Sequence, residues 1–348
     1  MFDLAGGRTT LVGTDPYQAV AILGGGVLRG QGQLDAAGGV FIENGGRIEV
    51  AASQRLGIAS DGLSINRGVV RVQGVGAEFS FAGGFNNNGA GRIDVTQGSV
   101  FLNKPSSNDG QINLQDALLD VSGAGSGAWL DNRASGRLAV SFGRSTVAGL
   151  VVNQGLVVVS NGAQASFLDA LANNGELRIS TGGAANFFGL VSGGGSITGN
   201  GAARFEGGLS VGASPGLVTV NPDAAFGAGS TVLMELGGTV PGFGSGHHDK
   251  IIFNGAVALE GGTLDVTWWD GFSGAAGDSF DLFDWNGTLS GHFGQIHLPG
   301  LADGLVWQTG DLYAGGSLSI AAVPEPSAAM LMLAGLATLG SLARRRRA

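Results

Sequence analysis

The chain has no cysteine among its 348 residues, so no disulfide framework can hold it and its stability must come from packing and strand pairing. Lysine is nearly missing too. Lys104 and Lys250 are the two lysines, and 18 basic residues face 27 acidic ones, for a formal charge of −9. Setting aside four arginines crowded at the C-terminus leaves 14 basic against 27 acidic residues, a balance that argues against a nucleic-acid partner. Long apolar runs are as scarce: the hydrophobic 43% of the chain stands mostly as single residues among Gly, Ala, Ser and Asn, unlike a helical protein. What is abundant is glycine. With 67 glycines and many asparagines, both suited to turns and left-handed backbone, the chain reads as short strands separated by tight corners.

The strands repeat. Apolar pairs occur at Ile48 and Val50, Val70 and Val72, Ile93 and Val95, Ile112 and Leu114, Leu138 and Val140, Val157 and Val159, and Leu177 and Ile179. Leu28 continues the series at its start and Ile197 at its end, each at the same spacing. Several repeats carry a second strand ending in Ala-x-Phe, at Ala77 to Phe79, Ala165 to Phe167, Ala185 to Phe187 and Ala203 to Phe205. A period of about 20 residues, strand-like within and glycine-rich at its corners, predicts an all-β fold: a parallel right-handed β-helix or solenoid with one repeat per coil. Coils stack about 4.8 Å apart, so the repeats from Leu28 to Ile197 make a rod of roughly 40 Å.

The residue between each apolar pair faces out: Glu49, Arg71, Asp94, Asn113, Ala139, Val158, Arg178, then Thr198. The alternating signs at the start suit a surface charge ladder, and the column holds no stacked acidic pair of the kind that glycoside hydrolysis needs. No catalytic residue is therefore assigned. Nor is a metal or cofactor: in His247-His248-Asp249, adjacent strand side chains point to opposite faces and cannot easily chelate one ion, so the segment reads as a structural loop. Gly24 to Gly26 and Gly193 to Gly195 lack the strand-to-helix setting of a phosphate loop and read as coil corners.

After Gly207 the character changes. Runs such as Ser214-Pro215-Gly216-Leu217-Val218-Thr219-Val220 and Asp249-Lys250-Ile251-Ile252-Phe253-Asn254-Gly255 resemble the C-terminal part of autotransporter passenger domains, in which a solenoid ends in larger coils. The resemblance spans about Leu209 to Ile320, and the translocating β-barrel that follows such passengers is not in this sequence. Trp268, Trp269, Trp285 and Trp307 fall in this segment with Phe280, Phe283 and Phe293. Bulky aromatics there close the open end of the core; the second reading makes Trp268, Trp269 and Trp285 a sugar-stacking platform.

At the C-terminus, Val323-Pro324-Glu325-Pro326 precedes an uncharged stretch from Ser327 to Ala343, followed by Arg344, Arg345, Arg346 and Arg347. As a helix the uncharged stretch covers roughly 25 Å, the short end of what spans a bilayer, and the arginines hold its far end on the cytoplasmic side. This order resembles the PEP-CTERM sorting signal of Gram-negative bacteria. The resemblance implies an exosortase partner, a membrane-embedded enzyme that recognises Pro324, Glu325 and Pro326, an inner-membrane anchor over 327–343, and Arg344 to Arg347 as a cytoplasmic stop signal. It also implies a periplasmic body that reaches the cell surface or medium once the tail is removed.

The chain thus divides into solenoid repeats over 1–208, larger coils with an aromatic cap over 209–322, and a sorting tail over 323–348. Because Met1 to Gly13 already reads as strand and corner, with no basic start or apolar core, further coils and a signal peptide are expected upstream. Two functions stand: a structural or adhesive surface protein of an exopolysaccharide matrix or biofilm, without an active site, or a glycan-binding or glycan-degrading β-helix whose site the sequence does not reveal.

Overall fold

A computed structural model describes residues 1–12, 19–37, 41–123, 127–212, 214–323, 331–332 and 334–337. The fold is a parallel β-solenoid. A typical coil contributes three short strands, Arg137–Ser141, Arg144–Ala148 and Leu150–Asn153. Each pairs in parallel with its counterpart in the next coil, Leu156–Ser160, Gln164–Phe167 and Leu171–Asn173, so the rod has three faces. Short strands follow from the sequence, since a glycine or asparagine corner interrupts every few residues.

The register on the first face is the one the apolar pairs predict. Leu28, Ile48, Val70, Ile93, Ile112, Leu138, Val157, Leu177, Ile197 and Val220 stack in a single column. None of them is more than 3% exposed. These are about ten turns of about 22 residues, the quasi-one-dimensional stacking of a solenoid. Slipping any strand by one residue would turn this column to solvent, which is what fixes the pairing. Beyond Val220 the coils lengthen by about half, so that Leu217 pairs with Lys250 and Ile251 with Phe283.

On the second face the Ala-x-Phe strands also align. Phe167, Phe187, Phe205 and Phe226 stack ring on ring with centroids 5.1, 5.5 and 5.0 Å apart. Parallel in-register pairing puts identical side chains one coil apart, near the ring separation that offset stacking favours.

The third corner holds a feature the repeat pattern did not announce. Asn44, Asn66, Asn87, Asn108, Asn132, Asn153 and Asn173 point inward, all 2% exposed or less. Each Nδ2 of the first six donates to Oδ1 of the next asparagine at 2.7 Å. The ladder amides also donate to backbone carbonyls of the first-face strand after next, such as Arg137 from Asn108 at 3.3 Å and Ser196 from Asn173 at 3.1 Å. The ladder begins at Asn44 because the level before it holds Ile22. It ends at Asn173 because the next level is Gly193, where φ is +115° and a Cβ would lie 2.2 Å from the Asn173 carbonyl oxygen.

The outward charge ladder does not form across coils. Glu49 pairs with Arg47 at 3.4 Å and Asp94 with Arg92 at 2.6 Å, each within its own strand, because an arginine two residues away on the same side reaches the carboxylate first. Arg71 has no ion-pair partner among the described residues. Nor is the whole column a solvated face: Ala139 and Val158, short side chains between Asn113 and Arg178, are only 4% and 3% exposed.

Three antiparallel strands, 279–281, 305–308 and 317–322, cover the C-terminal end of the rod. Past Val323, residues 331–332 and 334–337 are helical and exposed. Among the described residues no helix is long and apolar enough to cross a membrane. Most of the expected span at 327–343, with Pro324, Glu325, Pro326 and the four arginines from Arg344, lies outside the described residues.

Candidate functional site

The sorting tail leaves the body at a fixed point. The last strand, Ser317–Ala322, is the middle strand of the closing sheet, and the Val323 N–H donates to the Gly304 carbonyl at 2.8 Å. Pro324 comes next, and a proline can neither extend that ladder nor let Val323 start a helix.

The aromatic residues form two separate groups around this exit. Trp268 stacks on Trp307 with centroids 5.5 Å apart and contacts Phe272 and Phe280, and its indole N–H donates to the Gly300 carbonyl at 3.0 Å. Trp307 likewise donates to Pro299 at 2.9 Å. Trp285 stacks on Phe253 and Phe283, 5.2 and 4.7 Å away, and donates to Leu312 at 3.0 Å. Trp269 packs over Gly237, where a Cβ would come within 3.0 Å of its ring. Among the described residues no ring contact joins Trp268 or Trp269 to Trp285. Three of the four indoles therefore spend their polar atom on backbone inside the closing structure, an arrangement suited to sealing a core. Trp285→Ala should remove about 3 kcal/mol of packing from the last coils. Hydrogen exchange should then show lost protection over 250–297 while the coils before Val220 keep theirs; unchanged protection over 250–297 would show that Trp285 closes nothing.

The His247-His248-Asp249 segment is divided as strand geometry requires. His247 is half-buried, whereas His248 is fully buried between the carbonyls of Gly238 and Asp281, 3.0 Å from Nδ1 and 3.2 Å from Nε2. Burial lowers its pKa. The Asp249 carboxylate, 1% exposed, accepts the backbone N–H groups of Gly216 and Glu235, both at 2.7 Å. It pins the enlarged coil to its neighbours. Burial outweighs those two bonds and, with nearby Glu235, pushes Asp249 up to about 7. A carboxyl whose folded pKa exceeds its unfolded value favours the fold when protonated, so this contribution is full below about pH 4 and lost as pH rises to about 7. His248 acts in the opposite sense, since its contribution is lost as pH falls below its unfolded value near 6.5. Comparing wild type with Asp249→Asn isolates the first effect. Urea titrations should show the wild-type advantage about 2–3 kcal/mol larger at pH 5 than at pH 8; a pH-independent difference would mean that Asp249 stays ionised throughout. No group of three or more metal-ligating side chains converges among the described residues.

On the first face an open polar groove of about 400 Å³ runs along several coils, lined by Arg71, Gln73, Asp94, Asn113, Gln115 and Ser141 among others. Asp94 is the one carboxylate in its lining, and it is held by Arg92 and by Asn113 at 2.9 Å.

Residues 322–347 match the PEP-CTERM protein-sorting motif. The match begins at the last residue of the closing strand and covers the tripeptide, the apolar stretch and the arginines. This motif is a sorting signal for an exosortase, and its presence on a β-solenoid body marks an exported protein. No curated protein matches the chain.

Proposed function

We propose that this chain is an extracytoplasmic structural or adhesive rod, without an active site of its own, which an exosortase releases from an inner-membrane intermediate in a Gram-negative cell. The observation that carries the reading is the junction at Ala322, where a closed body meets the sorting motif with no linker between them. In this reading the span at 327–343 retains the body on the periplasmic side. Arg344 to Arg347 keep the far end cytoplasmic, and Pro324, Glu325 and Pro326 are what the enzyme recognises. Three interlocked columns suit the body to a passive role, since they spend its inward side chains on rigidity. A matrix of exopolysaccharide or a biofilm is the setting such a rod would serve.

Pro324→Ala with Glu325→Ala should leave the body's circular dichroism and melting unchanged yet trap all of it in the inner-membrane fraction. Release equal to wild type would show that release does not depend on the tripeptide and would overturn the sorting role of Pro324 and Glu325. Purified body should liberate no reducing ends from polysaccharides, and any turnover would overturn the non-catalytic part of the reading.

A further inference from the structure

Trp129 is the one tryptophan outside the C-terminal segment. It opens the third-face strand Trp129–Asn132, half-buried on the outward side, while Leu130 and Asn132 point into the core. The register of Ser64 with Phe85, Phe85 with Ser106 and Ser106 with Leu130 places Leu63, Gly84, Pro105 and Trp129 at successive levels just ahead of these strands. Gly84 alone in that row has no side chain. An open cavity of about 160 Å³ lies beside this row, walled by Leu63, Phe85, Pro105 and Trp129. A Cβ on Gly84 would meet the Leu63 Cδ1 at 3.2 Å, tighter than an ordinary contact, so a larger side chain there must displace Leu63, one wall of the cavity.

One rim is polar. Ser107, Asp131 and Arg133 border the cavity, and Asp131 accepts from Arg133 Nε at 3.1 Å and from Gln154 at 3.3 Å. The other end of the Arg133 guanidinium donates to Asp109 at 3.1 Å. A fixed carboxylate, a fixed guanidinium and a hydroxyl thus offer acceptors and donors side by side against an indole. That pairing fits a pyranose, whose C–H face packs on an aromatic plane while its hydroxyls both donate and accept. The one carboxylate and one guanidinium of the lining balance in charge, which suits a neutral sugar. The volume admits one ring, well below the roughly 300 Å³ and more of a site for a larger ligand.

We propose that this pocket binds a neutral hexose, as the terminal or branching sugar of a glycan, with Trp129 as the stacking residue and Asp131 and Arg133 as the hydroxyl-binding pair. The proposal rests on the adhesive reading for where such a sugar is met. Its test uses purified full-length chain and can fail while tail processing holds, or the reverse. Saturation-transfer NMR is run with glucose, galactose, mannose, their neutral trisaccharides and glucuronate. At least one neutral sugar should bind saturably, and Trp129→Ala and Gly84→Leu should each weaken it about tenfold or more. Trp269→Ala should leave it unchanged. Gly84 is not in left-handed backbone, so leucine there pushes on the Leu63 wall of the cavity without backbone strain, and unaltered melting of that variant separates lost binding from lost fold. Absence of saturable binding by every neutral sugar, binding that survives Gly84→Leu, loss only in Trp269→Ala, or preference for glucuronate would each overturn the proposal.

Discussion

Asn108→Ala should destabilise the middle of the rod by about 3–5 kcal/mol, far more than removing an asparagine from its surface. Asn108 is fully buried and sits in the centre of the ladder. Its loss removes the bond it accepts from Asn87 at 2.7 Å, the bond it donates to Asn132 at 2.7 Å and the bond to the Arg137 carbonyl at 3.3 Å. The Asn132 Oδ1 is then left in a dry interior with no donor, and an unmet buried acceptor costs about 1–3 kcal/mol by itself. Asn108→Asp should be no better. It keeps one acceptor, loses both donations and buries a charge. The surface control is Asn113→Ala, which gives up a single half-buried bond to Asp94 at 2.9 Å and should cost under about 1 kcal/mol. Urea unfolding followed by circular dichroism reads all three. Equal costs for Asn108→Ala and Asn113→Ala would mean that the ladder is worth no more than solvated amides.

That ladder also marks where the sequence stops being legible. The first-face register is readable from the chain alone because Ile48, Val70, Ile93 and their successors are apolar at a near-constant spacing, and burial drives pairing directly. Asparagine gives no such direction. Its commonest signal is a turn, so Asn44 to Asn173 read as corner formers, although their separations follow the coil period closely enough to betray a column. The charge column failed for a related reason: spacing placed Glu49, Arg71 and Asp94 side by side, but long side chains choose partners by reach, and Arg47 and Arg92 were within it. The sorting tail was legible because its signal is linear, three parts in order with no dependence on folding. The Trp129 pocket was not, since its walls, Leu63, Pro105 and Trp129, come from three different coils.

Phe205→Ala should cost about 3–5 kcal/mol and, unlike most core truncations, should split one unfolding transition into two. Phe205 is fully buried and touches Phe187 on one side and Phe226 on the other, with centroids 5.5 and 5.0 Å away. In a solenoid each coil is stabilised through its two neighbours, so a weak level lowers the coupling between everything before it and everything after it. The coils beyond Phe205 include the enlarged ones, in which Leu217 reaches Lys250 and Ile251 reaches Phe283, and they rely on the aromatic closing group at one end and on Phe205 at the other. Removing the ring there should let that segment melt first. The matched control lies one coil earlier: Phe188 follows Phe187 in the chain but is 51% exposed, and Phe188→Ala should change stability by no more than about 0.5 kcal/mol. In a Trp129→Phe background, denaturant titration monitored by tryptophan fluorescence reports the C-terminal segment, where Trp268, Trp269, Trp285 and Trp307 sit, while far-UV circular dichroism reports the whole rod. In Phe205→Ala the fluorescence midpoint should precede the dichroism midpoint. Coincident midpoints would show that the ring column stabilises the rod as a single unit, and that the enlarged coils hold together without the neighbour they lost.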